Sequence, residues 1–106
     1  RQMCIRDSLA VASDKDARGM LAQLAPHTAA LILSAFSDKR ALPLDALCEV
    51  AADYPHECAP DLKTAIARGM AMASAASPLL ITGSIYTAGE ARQILMETYG
   101  APPLQF

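Results

Sequence analysis

The sequence has few of the side chains on which nucleic-acid and membrane recognition depend. Its 106 residues include no tryptophan and five aromatic residues, and nine basic and eleven acidic side chains leave a net charge of −2. Nucleic-acid binding usually shows as clustered basic residues, and no such cluster is present, so we expect no nucleic-acid partner. Every strongly apolar run is far shorter than the ~20 residues of a membrane helix, so we expect no membrane segment.

Cysteine and histidine are also scarce, and they are spread along the chain. The three cysteines, Cys4, Cys48 and Cys58, have no C-x-x-C spacing, and the two histidines, His27 and His56, form no pair. This spacing indicates neither a zinc site nor a disulfide framework. We therefore expect reduced thiols, no metal ligands and a cytoplasmic protein.

The chain lacks the motifs of a complete catalytic centre. There is no G-x-x-x-x-G-K-[ST] phosphate loop, no clearly spaced pair of magnesium ligands, and no Ser-His-Asp or Cys-His set. We therefore expect no catalytic residue and no activity from this chain alone. Hydrophobic residues make up 53% of the sequence, and short apolar runs alternate with helical patterns, which indicates one α/β domain.

The most informative stretch is residues 78–90, PLLITGSIYTAGE. Its apolar run, 79–81, has no polar alternation and predicts a strand buried on both faces of a parallel sheet. Thr87 and Glu90 have the spacing of a capping box, so a helix is predicted to start at Thr87.

The turn inside this stretch is a candidate binding site. Gly83 and Ser84 mark the end of the predicted strand, and Tyr86 follows them. Ligands of open parallel sheets bind where strands end and lead into helices. The alternative is that Gly83 and Ser84 only form a tight turn.

Further strands are predicted upstream. Residues 9–12 form a short apolar run, and Ser13 with Asp16 three positions later predicts the start of a helix. Residues 28–36 predict a second buried strand, and residues 56–58 a short edge strand. We expect a three-layer, Rossmann-like domain with a mostly parallel sheet of about four strands covered by helices.

The loops after the first two strands carry candidate cations. Lys15 would lie at a helix N-terminus, where it could face a phosphate. Arg40 ends the polar segment 37–40, and its planar guanidinium can bind a carboxylate or phosphate through two hydrogen bonds. Parallel strands would bring both loops to the edge that holds Ser84. Each cation could instead be an ordinary solvated surface residue.

Three segments, taken in order, resemble one protein family. They are SDKD at 13–16, KRALP at 39–43 and LLITGSIYTAGEARQIL at 79–95. The set is similar to the C-terminal domain of folylpolyglutamate synthase and dihydrofolate synthase, in the Mur ligase superfamily, and the resemblance covers residues 9–100. One departure precedes Arg40, where the family commonly has proline and this chain has Lys39.

The resemblance implies an ATP-dependent ligase that activates a carboxylate of folate or dihydropteroate as an acyl phosphate and joins it to glutamate. It implies that Arg40, Ser84 and Tyr86 contact the glutamate, and that Lys15 is a weaker contact toward the nucleotide. ATP and Mg would bind mostly outside this chain, because the family holds them in a preceding central domain. The parent enzyme is expected to be monomeric.

The resemblance also implies domain limits. In the family a D-G-A-H-N segment comes just before the first strand identified here, and it is not in this sequence. We therefore expect residues 9–106 to be a partial C-terminal domain. Residues 1–8 show no helical periodicity and are expected to be a non-native leader or adapter scar, with a natural linker as the alternative.

Three interpretations of function stay open from the sequence. The first is the C-terminal domain of a folate-type ligase, inactive alone. The second is the corresponding domain of another Mur-type amino-acid ligase. The third is a non-enzymatic α/β binding module.

Overall fold

The central element of the fold is a four-stranded parallel sheet. The computed structural model describes residues 5–74 and 76–102. The strands are β1 (Ile5–Ala10), β2 (Thr28–Leu33), β3 (Glu57–Cys58) and β4 (Leu79–Gly83). Their order in the sheet is β3-β2-β1-β4, and all three pairings are parallel. The predicted α/β class is confirmed.

Helices cover both faces of the sheet. They are α1 (Ala17–Leu24), α2 (Leu44–Val50), α3 (Leu62–Met72) and α4 (Ile85–Tyr99), and a 3₁₀ turn, Ala25–His27, follows α1. Helices α1 and α2 pack Leu21 and Leu47 on one face, whereas α3 and α4 pack Ile66 and Ala91 on the other. None of the helices in the described part of the chain has the length and apolar character that a membrane crossing needs.

Strand β1 begins four residues earlier than predicted. The apolar pattern favours 9–12, but the strand spans Ile5–Ala10 and lies between β2 and β4. Asp7 and Ser8 are fully buried in it. Central parallel strands are usually continuous apolar runs, so hydrophobic patterning does not find a strand that contains these two residues. Strand β1 includes part of the segment 1–8, whose non-native origin stays a prediction.

Two helices start at a different residue from the one predicted. Helix α1 is capped by Asp16, whose carboxylate accepts a backbone N–H of the first turn at 3.0 Å, and not by Ser13. Helix α4 is capped by Ser84, so Thr87 is its third residue. Before each of these helices, two residues that can cap a helix lie three positions apart. The local sequence pattern does not show which of the two is the cap. Because α4 starts earlier than predicted, Tyr86 lies in the first turn of this helix and not in the loop before it.

The expectation of reduced thiols is wrong for two of the three cysteines. Cys48 on α2 is joined to Cys58 at the end of β3 by a disulfide, across a sequence separation of 10 residues. The bond forms because the chain turns back after α2 and enters the sheet edge beside it. Cys4 lies outside the described residues.

Candidate functional site

The segments that follow three of the strands meet at one edge of the sheet. We call them the rim, which consists of residues 13–16 after β1, 37–40 after β2 and 84–86 after β4. The main chain links the first two, since the Ser13 N–H donates to the Arg40 carbonyl oxygen at 2.7 Å. The strands are parallel, so their carboxyl ends lie at the same edge, as predicted.

Tyr86 connects α4 to the loop 37–40. Its ring stacks on Phe36, with centroids 5.6 Å apart and planes inclined by 18°. The guanidinium carbon of Arg40 lies 5.1 Å from the Tyr86 ring centroid, a distance that suits a cation–π contact. Phe36 is buried and Tyr86 is 38% exposed, so a buried ring positions an accessible one. The structure thus brings together two of the predicted site residues, Arg40 and Tyr86.

Asp38 holds Arg40 in place. The Arg40 Nη1 atom lies 3.1 Å from Asp38 Oδ1 and 3.2 Å from Oδ2, and Oδ1 also accepts the Arg40 backbone N–H at 2.9 Å. Chiefly because of that backbone hydrogen bond, the pKa of Asp38 is lowered and its carboxylate stays ionised. Within the described residues, the guanidinium donates only through Nη1. Its Nε and Nη2 groups are left for a carboxylate or phosphate ligand.

Glu90 fixes the loop 37–40 against α4. Its carboxylate accepts the Ser37 backbone N–H at 2.7 Å and the Ser37 hydroxyl at 3.4 Å. The predicted capping role of Glu90 is therefore wrong, because the helix starts earlier than expected. Sequence reasoning missed the contact to Ser37. The only signal was the i, i+4 spacing of Tyr86 and Glu90, which places both on one side of a helix.

Ser84 caps α4 and is almost buried. Its side chain accepts the Thr87 backbone N–H at 3.3 Å. Gly83, just before it, has a φ of 137°, and a Cβ atom there would lie 1.7 Å from the carbonyl oxygen of Ala10. Glycine is therefore required at the end of β4. The structure gives this turn a clear architectural role, and the predicted ligand contact of Ser84 stays a prediction.

A cleft of about 490 Å³ lies between α1 and the end of β4. Its lining includes Gln23 on one side and Thr82 and Ser84 on the other. The described residues that line it do not include Arg40 or Tyr86. The structure therefore places three of the four predicted site residues in two neighbouring features, which are the cleft beside Ser84 and the pair of Arg40 and Tyr86.

Lys15 is exposed in the segment 13–16. The Asp16 carboxylate already occupies the N-terminus of α1, and Asp14 also precedes the helix. The segment therefore offers a single ammonium group and not the set of free backbone N–H groups that cradles a phosphate. These residues fit one contact to an anion, but they do not form a complete ATP site.

No cluster of three or more carboxylate side chains that could hold a metal ion occurs among residues 5–74 and 76–102. The one group of three or more candidate ligands there is Cys48, His56 and Cys58. Magnesium prefers carboxylate, carbonyl and water oxygens, so this group does not suit it.

Solved structures of one type of enzyme share this fold. Folylpolyglutamate synthase of Mycobacterium tuberculosis, complexed with ADP, matches at a TM-score of 0.80 and 27% identity, over 95% of this chain and 25% of that chain. This chain has the fold of a folylpolyglutamate synthase domain. E. coli FolC in complex with ADP matches it at a TM-score of 0.82 and 19% identity, over 95% of this chain and 24% of that one.

A third folylpolyglutamate synthase match was solved with an amino acid bound. It is a bifunctional folylpolyglutamate synthase/dihydrofolate synthase with Mn, AMPPNP and L-glutamate, at a TM-score of 0.75 and 22% identity, over 88% of this chain and 22% of that chain. The chain thus spans about a quarter of the length of these enzymes. No protein-family model and no curated protein matches the sequence. The resemblance predicted from three short segments is confirmed.

Proposed function

We propose that this chain is the C-terminal, glutamate-binding domain of an ATP-dependent ligase that joins glutamate to folate or dihydropteroate. The main support is the match to the Mycobacterium tuberculosis folylpolyglutamate synthase, with 27% identity and a TM-score of 0.80 over 95% of this chain. The rim adds support, because two residues assigned from the resemblance, Arg40 and Tyr86, lie in contact. By itself the chain is inactive.

Orientation is the contribution of this domain to the reaction. In such a ligase, ATP supplies the phosphoryl group that activates the folate or pteroate carboxylate, and the glutamate amine then displaces phosphate to form the amide. The segment 13–16 offers no phosphate cradle, and the described residues include no cluster of three carboxylates. In this proposal ATP and Mg²⁺ bind mostly in the rest of the parent enzyme, which is monomeric. Holding the glutamate in position makes the attack effectively unimolecular, which lowers the barrier by several kcal/mol.

Arg40 binds a carboxylate of glutamate in this proposal. Asp38 and the Tyr86 ring hold the guanidinium on the rim, and Nε and Nη2 remain to form two parallel hydrogen bonds. The Tyr86 hydroxyl is a further donor beside it. Ser84 contributes from the neighbouring cleft, and Lys15 directs its ammonium group toward the nucleotide.

A chimera tests the proposal. The matching quarter of E. coli FolC is replaced by this chain, and ATP-dependent addition of glutamate to dihydropteroate and to tetrahydrofolate is measured. We expect the chimera to catalyse the addition, whereas the chain alone neither ligates glutamate nor hydrolyses ATP. Circular dichroism checks that each protein is folded.

Substitutions in the chimera test the assigned residues. Arg40→Ala is expected to raise the KM for glutamate about tenfold or more, since hydrogen bonds to charged groups contribute roughly 1.5–3 kcal/mol. The matched control is Arg92→Ala, which removes an exposed arginine of α4 and should leave this KM unchanged. Tyr86→Phe keeps the ring contacts and isolates the effect of the hydroxyl.

Different failures have different meanings. A folded chimera that uses muramyl substrates instead would assign the chain to another Mur-type ligase. A folded chimera without any ligation would refute the enzyme proposal and favour a binding module. If Arg40→Ala and Arg92→Ala change the glutamate KM equally, the role given to Arg40 is wrong.

A further inference from the structure

Three potential metal ligands lie together at the edge of the sheet farthest from β4. Cys48 lies on α2, His56 directly precedes β3, and Cys58 is the last residue of β3. Their ligand atoms all lie within 4.8 Å of one another. Cys48 and His56 are half-buried and Cys58 is exposed, so a cation from solvent can reach the group.

The hydrogen bond of the His56 ring leaves one ring nitrogen available to a metal ion. Its Nδ1 atom lies 2.8 Å from the carbonyl oxygen of Tyr54. A carbonyl oxygen can only accept, so in the neutral ring Nδ1 carries the proton and Nε2 has a free electron pair. A backbone carbonyl that binds one ring nitrogen in this way is the usual partner of a histidine that binds metal through the other.

The spacing of the two cysteines suits a shared cation. Their Cα atoms are 7.1 Å apart, whereas disulfides usually span about 4.4–6.8 Å. A tetrahedral cation with bonds of ~2.3 Å to two sulfur atoms holds those atoms ~3.8 Å apart. Cysteines that are somewhat too distant for a typical disulfide can therefore bind one metal ion together.

We propose that Cys48, His56 and Cys58, with both cysteines reduced, bind one thiophilic divalent cation of the Zn²⁺ class. Each thiol loses a proton to solvent, and the two thiolates neutralise the charge of the cation. The imidazole Nε2 is the third ligand, and a water molecule completes a tetrahedral site. The site is separate from the rim residues that follow β4, since three inter-strand spacings of ~4.8 Å separate β3 from β4.

The disulfide form of the protein does not bind the cation, because its sulfur atoms are not thiolates. A dithiol reductant opens the site by giving two electrons and two protons to the Cys48–Cys58 bond, which becomes two thiols while the reductant becomes a disulfide. When this pair of cysteines is oxidised, a disulfide joins α2 to β3. When the pair is reduced, the bound cation joins them.

Cobalt and zinc titrations of the full chain test the proposal. The background variant Cys4→Ser removes the only other cysteine, and a phosphine reductant keeps the remaining thiols free. We expect one Co²⁺ per chain, with a thiolate-to-cobalt absorption band that one equivalent of Zn²⁺ abolishes. The oxidised protein should show neither effect.

Matched variants identify the ligands. Cys58→Ser changes an exposed residue, and His56→Gln removes the imidazole. Each substitution should weaken Co²⁺ binding about tenfold or more, because even the loss of a residue hydrogen-bonded to a metal ligand has an effect of that size. His27→Gln removes the other histidine and should have no effect. Absence of the band in the reduced, folded background protein would overturn the proposal. So would equal affinities for the two histidine variants, or equal binding by the oxidised and reduced chains.

Discussion

Asp7 is the side chain whose replacement should stabilise this protein most clearly. It lies in the middle of β1, between two neighbouring strands, and is fully buried. Its Oδ1 atom accepts the Thr82 hydroxyl at 2.6 Å, but its Oδ2 atom is buried with no hydrogen-bond partner among the described residues. We predict that Asp7→Val raises the free energy of unfolding at pH 7.

The expected size of the effect follows from these contacts. An unsatisfied buried polar group costs about 1–3 kcal/mol, and more when it is charged. Valine removes that group and suits a central strand, while the half-buried Thr82 hydroxyl can turn to solvent. Since the loss of one hydrogen bond offsets part of the gain, we expect a net stabilisation of roughly 1–3 kcal/mol. In a domain of this size, 1 kcal/mol raises the Tm by about 4–8 °C.

The effect should depend on pH with a definite sign. Burial raises the pKa of Asp7 above its ordinary value of 3.8, and the hydrogen bond from Thr82 offsets this only in part. A group whose pKa is raised by folding favours the folded state fully below its unfolded pKa, and this contribution is lost as the pH rises through the folded pKa. The advantage of Asp7→Val should therefore be small near pH 4 and grow toward neutral pH.

Thermal unfolding of four proteins and one control variant provides the measurement. The wild type, Asp7→Val, Thr82→Val and the double variant are compared at pH 4 and pH 7. Thr82→Val alone should destabilise the protein at pH 7, because the Asp7 carboxyl group loses its donor, whereas it should change little in the Asp7→Val background. Asp53→Val, at an exposed position, is the control and should stay within about 0.5 kcal/mol. A lower Tm for Asp7→Val at pH 7, or an equal effect at both pH values, would refute the reasoning.

Further predictions concern the turn after β4, a helix cap and the rim loop. Gly83→Ala should destabilise the fold by about 2 kcal/mol or more, because its positive φ and the adjacent carbonyl leave no room for Cβ. Gly89→Ala should stabilise the fold by about 0.5–1 kcal/mol, because a Cβ there meets nothing within 4 Å. Denaturant unfolding of both variants measures the two effects. Asp61→Ala removes the cap of α3 and should cost about 1 kcal/mol at pH 7. Since the Thr64 backbone N–H lowers the pKa of Asp61, wild type and variant should converge as the pH falls below 3.8, and a constant difference would contradict this. Glu90→Gln weakens the hydrogen bond to the Ser37 N–H, so amide exchange at that residue should become faster, while Glu97→Gln should leave it unchanged.

Local sequence patterns were enough to predict the layered fold and its functional edge. The apolar runs at 28–36 and 79–81 predict parallel strands, and parallel strands must present the loops after them on one side. The predicted burial of 79–81 on both faces is wrong, because β4 is an edge strand of the described sheet and Leu80 is 43% exposed. The approximate positions of Lys15, Arg40 and Ser84 on that side follow from this rule alone. The same local patterns also predicted the edge strand at 56–58, the Asp61 cap and the family resemblance, because each depends on residues close together in sequence.

The tertiary structure determined how those residues are used. Asp7 and Ser8 lie in a central strand because β2 and β4 pair with it on both sides, although their polarity argues against a strand. The contact between Ser37 and Glu90 spans 53 residues, and that between Cys48 and Cys58 depends on how α2 docks against the sheet edge. Periodicity and capping rules report only interactions within a few residues of chain. The direction of Arg40, the helix position of Tyr86 and the grouping of two cysteines with a histidine arise from packing between distant segments, so only the folded chain specifies them.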